Sequence, residues 1–142
     1  MTAKEWLMRA WHIDKEIDAM LIARDKAFAR CTSITTLPKI VMSNHPDPDP
    51  DGAMVAFMHI EEKIDARIDE LTQVKAETLD AIETVQDSTL RTLLISRYIC
   101  FKTWEQIAVD IGYSYSQVVK YLHPRALAKI KDAIECHTTS VL

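Results

Sequence analysis

Glycine is nearly absent from this chain, with two among 142 residues. Such a chain favours helix over the tight turns and bulges of β-proteins. No run of eighteen apolar residues occurs and no signal-peptide core opens the chain, so we expect a cytoplasmic protein without a membrane span. Cys31, Cys100 and Cys136 lie far apart and in no metal-binding spacing, which predicts reduced, mostly buried thiols.

Catalytic motifs are also missing. The histidines are scattered, and there is no H-E-x-x-H pair, G-x-S-x-G turn or phosphate-cradling glycine loop. We therefore expect no enzymatic activity, no catalytic residue, no cofactor and no metal. Asp47, Asp49, Asp51 and Gly52 match the opening of an EF-hand loop, but Met58 stands where that loop requires glutamate. Asp51 is better explained as the cap of a helix.

Charge is divided unevenly along the chain. Residues 1–86 carry ten Lys/Arg against sixteen Asp/Glu, a balance of −6, whereas residues 87–142 carry seven against five, a balance of +2. The positive end is the one expected to approach nucleic acid. An excess of only two positive charges predicts that one copy binds DNA modestly and loses affinity quickly with salt. Tight binding would then need dimerisation or a protein partner.

The most informative pattern begins at Thr103 and is typical of a helix-turn-helix. Thr103 can cap a short helix with Trp104, Ile107, Ala108 and Ile111 on its inner face. Gly112 stands where that helix must stop, because a left-handed backbone is cheap only for Gly or Asn. Ser114 and Gln117 form a capping box that starts a second helix. The predicted buried stripe of that helix comprises Val118, Leu122, Ala126, Ile130 and Ile134.

The outward face of the second helix is polar and aromatic and carries no acidic residue, which a phosphate backbone would repel. Gln117 can bond bidentately to adenine, and Lys120 supplies charge. The predicted DNA-binding residues are Tyr115, Ser116, Gln117, Lys120, Tyr121 and Arg125. The alternative is an ordinary α-hairpin inside a helical domain.

Pro124 interrupts the pattern of the second helix. Either the helix ends near Leu122 and Pro124 opens a new one, or the helix is kinked there. We favour the break, because a residue before proline is biased away from helical geometry. DNA contact would then be concentrated in residues 115–121.

Two long helices are expected before this region. The first runs from about Thr2 to Cys31, with Thr2 and Glu5 as a capping box, and the second from about Asp51 to Val85. Prolines between them predict a linker over residues 32–50. We expect an all-α fold: a long antiparallel, coiled-coil-like hairpin in residues 1–86 that forms a homodimer, and a helix-turn-helix domain in residues 87–142. The alternative to self-association is a single-chain bundle.

Several stretches resemble phage and prophage transcriptional regulators of the RinA/ArpU type. They are Arg97-Tyr98, Trp104–Ala108, Gly112–Ser114 and His123–Leu127, together with the N-terminal stretches Thr2–Leu7 and Ile13–Asp18. The C-terminal half of that family is similar to region 4 of sigma-70 factors. The resemblance implies binding of double-stranded DNA near promoters and activation of phage late genes, with RNA polymerase as a further candidate partner. It also places His123 at the end of the recognition helix, where the side chain can contact a phosphate or make a structural hydrogen bond. Sigma-like recognition helices usually present several Lys or Arg, whereas here only Lys120 and Arg125 lie in the corresponding stretch.

Two other functions fit the same pattern. Phage small terminase subunits combine a helix-turn-helix with long oligomerising helices and act in DNA packaging. An adaptor that has lost DNA binding and contacts RNA polymerase is the other alternative. Oligomer size separates the first from a regulator, because terminase subunits form large rings whereas a regulator is expected to be a monomer or dimer.

Overall fold

The computed structural model describes residues 1–36 and 50–140, with the backbone alone for residues 33–36, 50 and 51. Every regular element in these ranges is helical, which confirms the expected all-α class. The helices are α1 (Ala3–Leu7), α2 (Arg9–Thr36), α3 (Pro50–Glu83), α4 (Ser88–Tyr98), α5 (Trp104–Ile111), α6 (Tyr115–Gln117) and α7 (His123–Ser140), and a π-helical turn (Val118–Leu122) joins α6 to α7. Across the described ranges, no helix has both the length and the apolar character needed to cross a membrane.

The N-terminal helix begins where its sequence predicts. Thr2 Oγ1 accepts a hydrogen bond from the Glu5 N–H at 3.2 Å, and the Glu5 carboxylate accepts one from the Thr2 N–H at 2.6 Å. A turn at Met8 then separates α1 from α2, and α2 continues to Thr36 instead of ending near Cys31. The Thr32 hydroxyl bonds back to carbonyls of the preceding turn at 3.1 Å, which lets a hydroxyl residue remain in the helix.

The predicted linker over residues 32–50 was therefore too long at both ends. Pro50 opens α3 instead of lying before it, since proline at a first helical position loses no hydrogen bond. Asp51 consequently lies within the first turn of α3 and not at its cap. Residues 37–49, with Asp47 and Asp49 of the rejected EF-hand match, lie outside the described residues.

The chain divides into two compact units, of which the first comprises Met1–Ile13 and Leu71–Leu142. Its hydrophobic core draws Trp6 and Leu7 from α1, Ile82 from α3 and further side chains from α4, α5, the π-helical turn and α7. The core therefore crosses the position between residues 86 and 87 where the charge balance changes sign. The division of roles at that position stays a prediction.

The second unit, Asp14–Glu70, consists of parts of α2 and α3 in its described portion. Only Ile17 and Ile64 are buried hydrophobic residues among the described residues of this unit. Contacts between its helices include Arg67 to Glu16 at 3.1 Å, Arg24 to Glu61 at 3.4 Å, and the rings of Phe28 and Phe57 at 5.7 Å between centroids. Across these contacts, later residues of α2 pair with earlier residues of α3, so the two segments run antiparallel.

The three cysteines are free thiols. Cys31 is half-buried, whereas Cys100 and Cys136 are exposed, so the expected burial was wrong for two of them. Cys136 follows the buried Ile134 by two positions on α7, which turns it away from the core face of that helix.

Candidate nucleic-acid interface

Helix α5 forms and ends as its sequence predicts. Thr103 Oγ1 accepts a hydrogen bond from the Gln106 N–H at 3.3 Å, and the Gln106 carboxamide oxygen accepts one from the Thr103 N–H at 3.0 Å. Gly112 has a left-handed backbone with φ of +75°, and its N–H donates to the Ala108 carbonyl at 3.0 Å. The predicted cap and the predicted glycine stop are both confirmed.

The predicted capping box of α6 is confirmed as well. It uses the side-chain oxygen of Gln117, which was also expected to contact DNA. Ser114 Oγ accepts a hydrogen bond from the Gln117 N–H at 3.2 Å, and the Gln117 carboxamide oxygen accepts one from the Ser114 N–H at 3.1 Å. A bidentate contact to adenine needs that same oxygen. Starting the helix and reading adenine therefore compete for Gln117, which in this conformation offers a base its amide nitrogen.

The favoured break of the helix near Leu122 is wrong. His123 is helical, with φ of −64° and ψ of −49°, and its N–H donates to the carbonyl of Val118 five residues back. The intervening residues form the π-helical turn, and the chain continues directly into α7. A proline ring clashes with the carbonyl four residues before it in a regular α-helix, and the wider turn relieves that clash ahead of Pro124.

The positions of the buried residues along the second helix shift at the π-helical turn. Of the predicted residues, Val118, Ala126, Ile130 and Ile134 are buried, but Leu122 is only half-buried and His123 is buried beside it. Side chains five positions apart point about 140° away from each other in a regular α-helix. The π-helical turn explains why Val118 and His123 nevertheless both reach the core.

A hydrogen bond anchors the buried His123 side chain to α4. The Tyr98 hydroxyl lies 2.5 Å from His123 Nε2, and the two rings are stacked with 5.9 Å between centroids. The Trp104 ring lies 4.5 Å from the His123 ring, so the imidazole also contacts α5. The sequence indicated a phosphate contact or a structural hydrogen bond for His123, and the structure gives it the hydrogen bond.

Both members of this pair are neutral at pH 7. Burial, with smaller contributions from the positive charges of Lys4 and Arg97, lowers the pKa of His123 to about 4. Burial raises the pKa of Tyr98 to about 12. Arg97 itself lies over the Trp104 ring, 4.5 Å from its centroid, and donates to the Lys102 carbonyl at 3.0 Å. The pattern of α5 and α6 alone does not reveal Tyr98, because it lies on α4.

All six predicted DNA-binding residues are exposed. Tyr115, Ser116, Gln117, Lys120 and Tyr121 lie together on α6 and the π-helical turn. Arg125 lies further on, in the first turn of α7, where it lines a surface cavity with Lys129 and the α3–α4 connection around Asp87. Residues 111–131 include four Lys/Arg and no Asp or Glu. Asp110, just before this stretch, is paired with Lys102 at 2.8 Å.

In the described parts of the chain, no group of three or more His, Cys, Asp or Glu side chains is placed to hold a metal ion. Comparison with protein-family models, curated proteins and solved structures finds no match to this chain. The candidate interface therefore rests on its own geometry and charge.

Proposed function

We propose that this protein is a DNA-binding transcriptional regulator of the phage or prophage late-gene type. In this proposal α5, the turn at Gly112 and the following helix act as a sigma-70 region 4-like helix-turn-helix. The observation that carries it is a left-handed glycine between two capped helix starts, with no acidic side chain across residues 111–125.

The packing of α5 supports this role. Ile107 and Ala108 on α5 and Val118 in the π-helical turn belong to one buried cluster, which fixes the inner side of the second helix. The outer side carries exposed hydroxyl, amide and ammonium groups, the kinds of donor that read base edges and bind phosphate. A capped helix with such an outer face can enter a major groove by its N-terminal end.

We further propose that the protein acts as a homodimer through its second unit, because one weakly basic copy offers few phosphate contacts. Ile22 and Phe28 on α2 and Met54 and Met58 on α3 are large apolar side chains that remain exposed. Hydrophobic surface of this kind favours a partner.

The outer face of α2 is self-complementary in charge, as a two-fold interface requires. Asp18, Ile22 and Lys26 follow one another at four-residue spacing and share one face of the helix. Two antiparallel copies of that face would place each Asp18 against the second copy's Lys26, with Ile22 at the centre. In the single chain Asp18 is paired with Lys15 at 3.2 Å, so Lys15 would share this contact.

The DNA-binding proposal is tested with Lys120→Glu, using fluorescence anisotropy on genomic fragments selected by the unmodified protein. Losing one phosphate contact and adding a repelling charge is expected to weaken binding by about tenfold or more and to reduce the salt slope by about one. The matched control is Lys131→Glu, which makes the same charge change on α7 where Lys131 faces Glu135 at 3.9 Å. Equal effects of the two variants would contradict the assigned surface.

The dimer is tested by light scattering on the full chain. Asp18→Lys is expected to weaken association, and adding Lys26→Asp in the same chain is expected to restore it, because the two charges exchange places. A monomeric unmodified protein would refute the dimer. A large ring would instead favour the DNA-packaging alternative, and polymerase binding without DNA binding would favour the adaptor.

A further inference from the structure

We infer that Tyr98, His123 and Pro124 are positioning residues, which hold the second helix of the proposed helix-turn-helix in a π-helical register and thereby set which side chains face DNA. The inference rests on the proposed function for its DNA-facing part. Its structural part, that these three residues hold the register, stands independently.

The backbone is the first support. The His123 N–H donates to the carbonyl of Val118, a bond across five residues that closes the wide turn. In a regular α-helix the next residue would donate to the Lys120 carbonyl, but Pro124 has no N–H and its ring would crowd that oxygen. Pro124 therefore removes the bond that would favour the α-helical alternative.

The side chain of His123 is the second support. Its Nε2 lies 2.5 Å from the buried Tyr98 hydroxyl, and its ring lies 4.5 Å from that of Trp104. The residue that closes the turn is thus held by α4 and α5, the helices against which the second helix must be oriented. A leucine there would fill space but could not accept or donate this hydrogen bond.

The register has a geometric consequence for the DNA-facing residues. Val118 and His123 are both buried although five positions separate them. A hydrogen bond of a π-helical turn spans one residue more than that of an α-helical turn. If the turn became a regular α-helix while α7 kept its place, the chain before the turn would therefore rotate by about 100° about the helix axis. Tyr115 and Lys120 would turn with it. The π-helical turn therefore sets the rotation of the proposed recognition surface.

The register is tested by NMR couplings across hydrogen bonds, which need no DNA. The unmodified protein is expected to show coupling between the His123 amide nitrogen and the Val118 carbonyl carbon. In the double variant Tyr98→Phe/Pro124→Ala, we expect this coupling to move to Val119 and a new one to connect residue 124 to Lys120. Retention of the Val118 coupling in the double variant would overturn the inference.

The DNA-facing part is tested by anisotropy on Tyr98→Phe alone, with the coupling to Val118 measured on the same variant. Tyr98→Phe is expected to lower affinity roughly tenfold, the value of one well-placed base contact, while circular dichroism shows the helices retained. Tyr113→Phe is the matched control, because it removes the same hydroxyl from an exposed tyrosine outside the proposed contact set and is expected to change nothing.

A conservative substitution separates positioning from simple packing. His123→Gln keeps a polar group that can reach Tyr98, so it is expected to retain more affinity than His123→Leu. A shift of the coupling to Val119 with unchanged DNA affinity would refute the role in positioning. If the unmodified protein binds no DNA, the proposed function and the DNA-facing part fail together, and the couplings still decide the register.

Discussion

The two compact units are built in opposite ways. In the first, helices as short as α1 and α5 are held by fully buried side chains such as Leu7, Leu93 and Ile107. In the second, long stretches of α2 and α3 bury only Ile17 and Ile64 among the described residues, and several large apolar side chains remain exposed. Short helices are marginal in water unless packing supports them, so the first unit depends on its core. The second has apolar surface left for association.

The contacts within each unit follow the same division. The first unit joins its helices with a buried hydrogen bond between Tyr98 and His123. The second joins its helices with exposed ion pairs, such as Arg67 with Glu16, which contribute little in water. Changes in the first unit should therefore act on folding, and equivalent changes in the second should act mainly on association.

The largest expected effect comes from cutting the first unit at the charge boundary. Residues 87–142 alone would lack Trp6, Leu7, Ala81, Ile82 and Val85, all of which belong to the core cluster. We expect this fragment to lose cooperative melting and most of its helical circular dichroism, because a small domain cannot give up a third of its core.

The matched control shortens the second unit without disturbing the first. Deleting residues 22–28 together with 57–63 removes seven positions from each helix and keeps the pairing of the remaining ones. This shortened chain is expected to melt cooperatively. If the 87–142 fragment melted like the full chain, or the shortened chain failed to fold, the comparison of the units would be reversed.

A smaller change tests the same comparison with one residue type. Ile107 is fully buried in the first unit, and Ile22 is 59% exposed in the second. Ile107→Ala is expected to lower the free energy of unfolding by about 2–5 kcal/mol through the cavity it leaves. Ile22→Ala is expected to change it by at most about 0.5 kcal/mol in dilute solution. Urea denaturation measures both, and similar losses would show that the second unit has more of a core than its burial indicates.

The features that the sequence predicted correctly are local ones. The capping boxes of Thr2 and Ser114, the cap at Thr103 and the left-handed Gly112 each depend on residues within a few positions, and all four are confirmed. The exposure of the predicted DNA-facing residues followed from helical periodicity, since that face lies opposite the buried stripe.

The features that the sequence could not give depend on distant partners. The continuation of the helix through His123 is stabilised by Tyr98, which is 25 positions away, and the local preference before proline pointed to a break. Likewise, Phe101, three residues beyond the end of α4, has a left-handed backbone with φ of +59°, where glycine would be expected. The N–H of the next residue, Lys102, donates to the Ser96 carbonyl at 2.9 Å and closes the helix end. No short-range signal marks such a position.

The buried histidine predicts a pH dependence of the first unit. The pKa of His123 is about 4 in the folded chain against 6.5 as its ordinary value, so between these pH values the unfolded chain binds a proton that the folded chain does not. The free energy of unfolding should therefore fall as the pH falls from about 6.5 to about 4, by up to roughly 3 kcal/mol.

Thermal unfolding of the unmodified chain and of His123→Gln across this range isolates the effect, because the variant lacks the titrating group. Its stability should depend less on pH than that of the unmodified chain. His59→Gln is the matched control, because it makes the same substitution at an exposed position of the second unit. Parallel profiles for the unmodified chain and His123→Gln would show that His123 does not carry the acid sensitivity.

The two glycines, one in each unit, should respond to alanine with changes of opposite sign. Gly112 has a left-handed backbone and no atom within 4 Å of the position where a Cβ would stand, so the strain of Gly112→Ala is in the backbone alone and is expected to cost about 1–2 kcal/mol. Gly112→Asn should cost less, because asparagine tolerates this conformation. Gly52 lies in the first turn of α3, where alanine is the better helix former, so Gly52→Ala should stabilise by about 0.4–1 kcal/mol. Urea denaturation of the three variants measures these differences, and a stabilising Gly112→Ala would show that the turn between α5 and α6 does not require its left-handed residue.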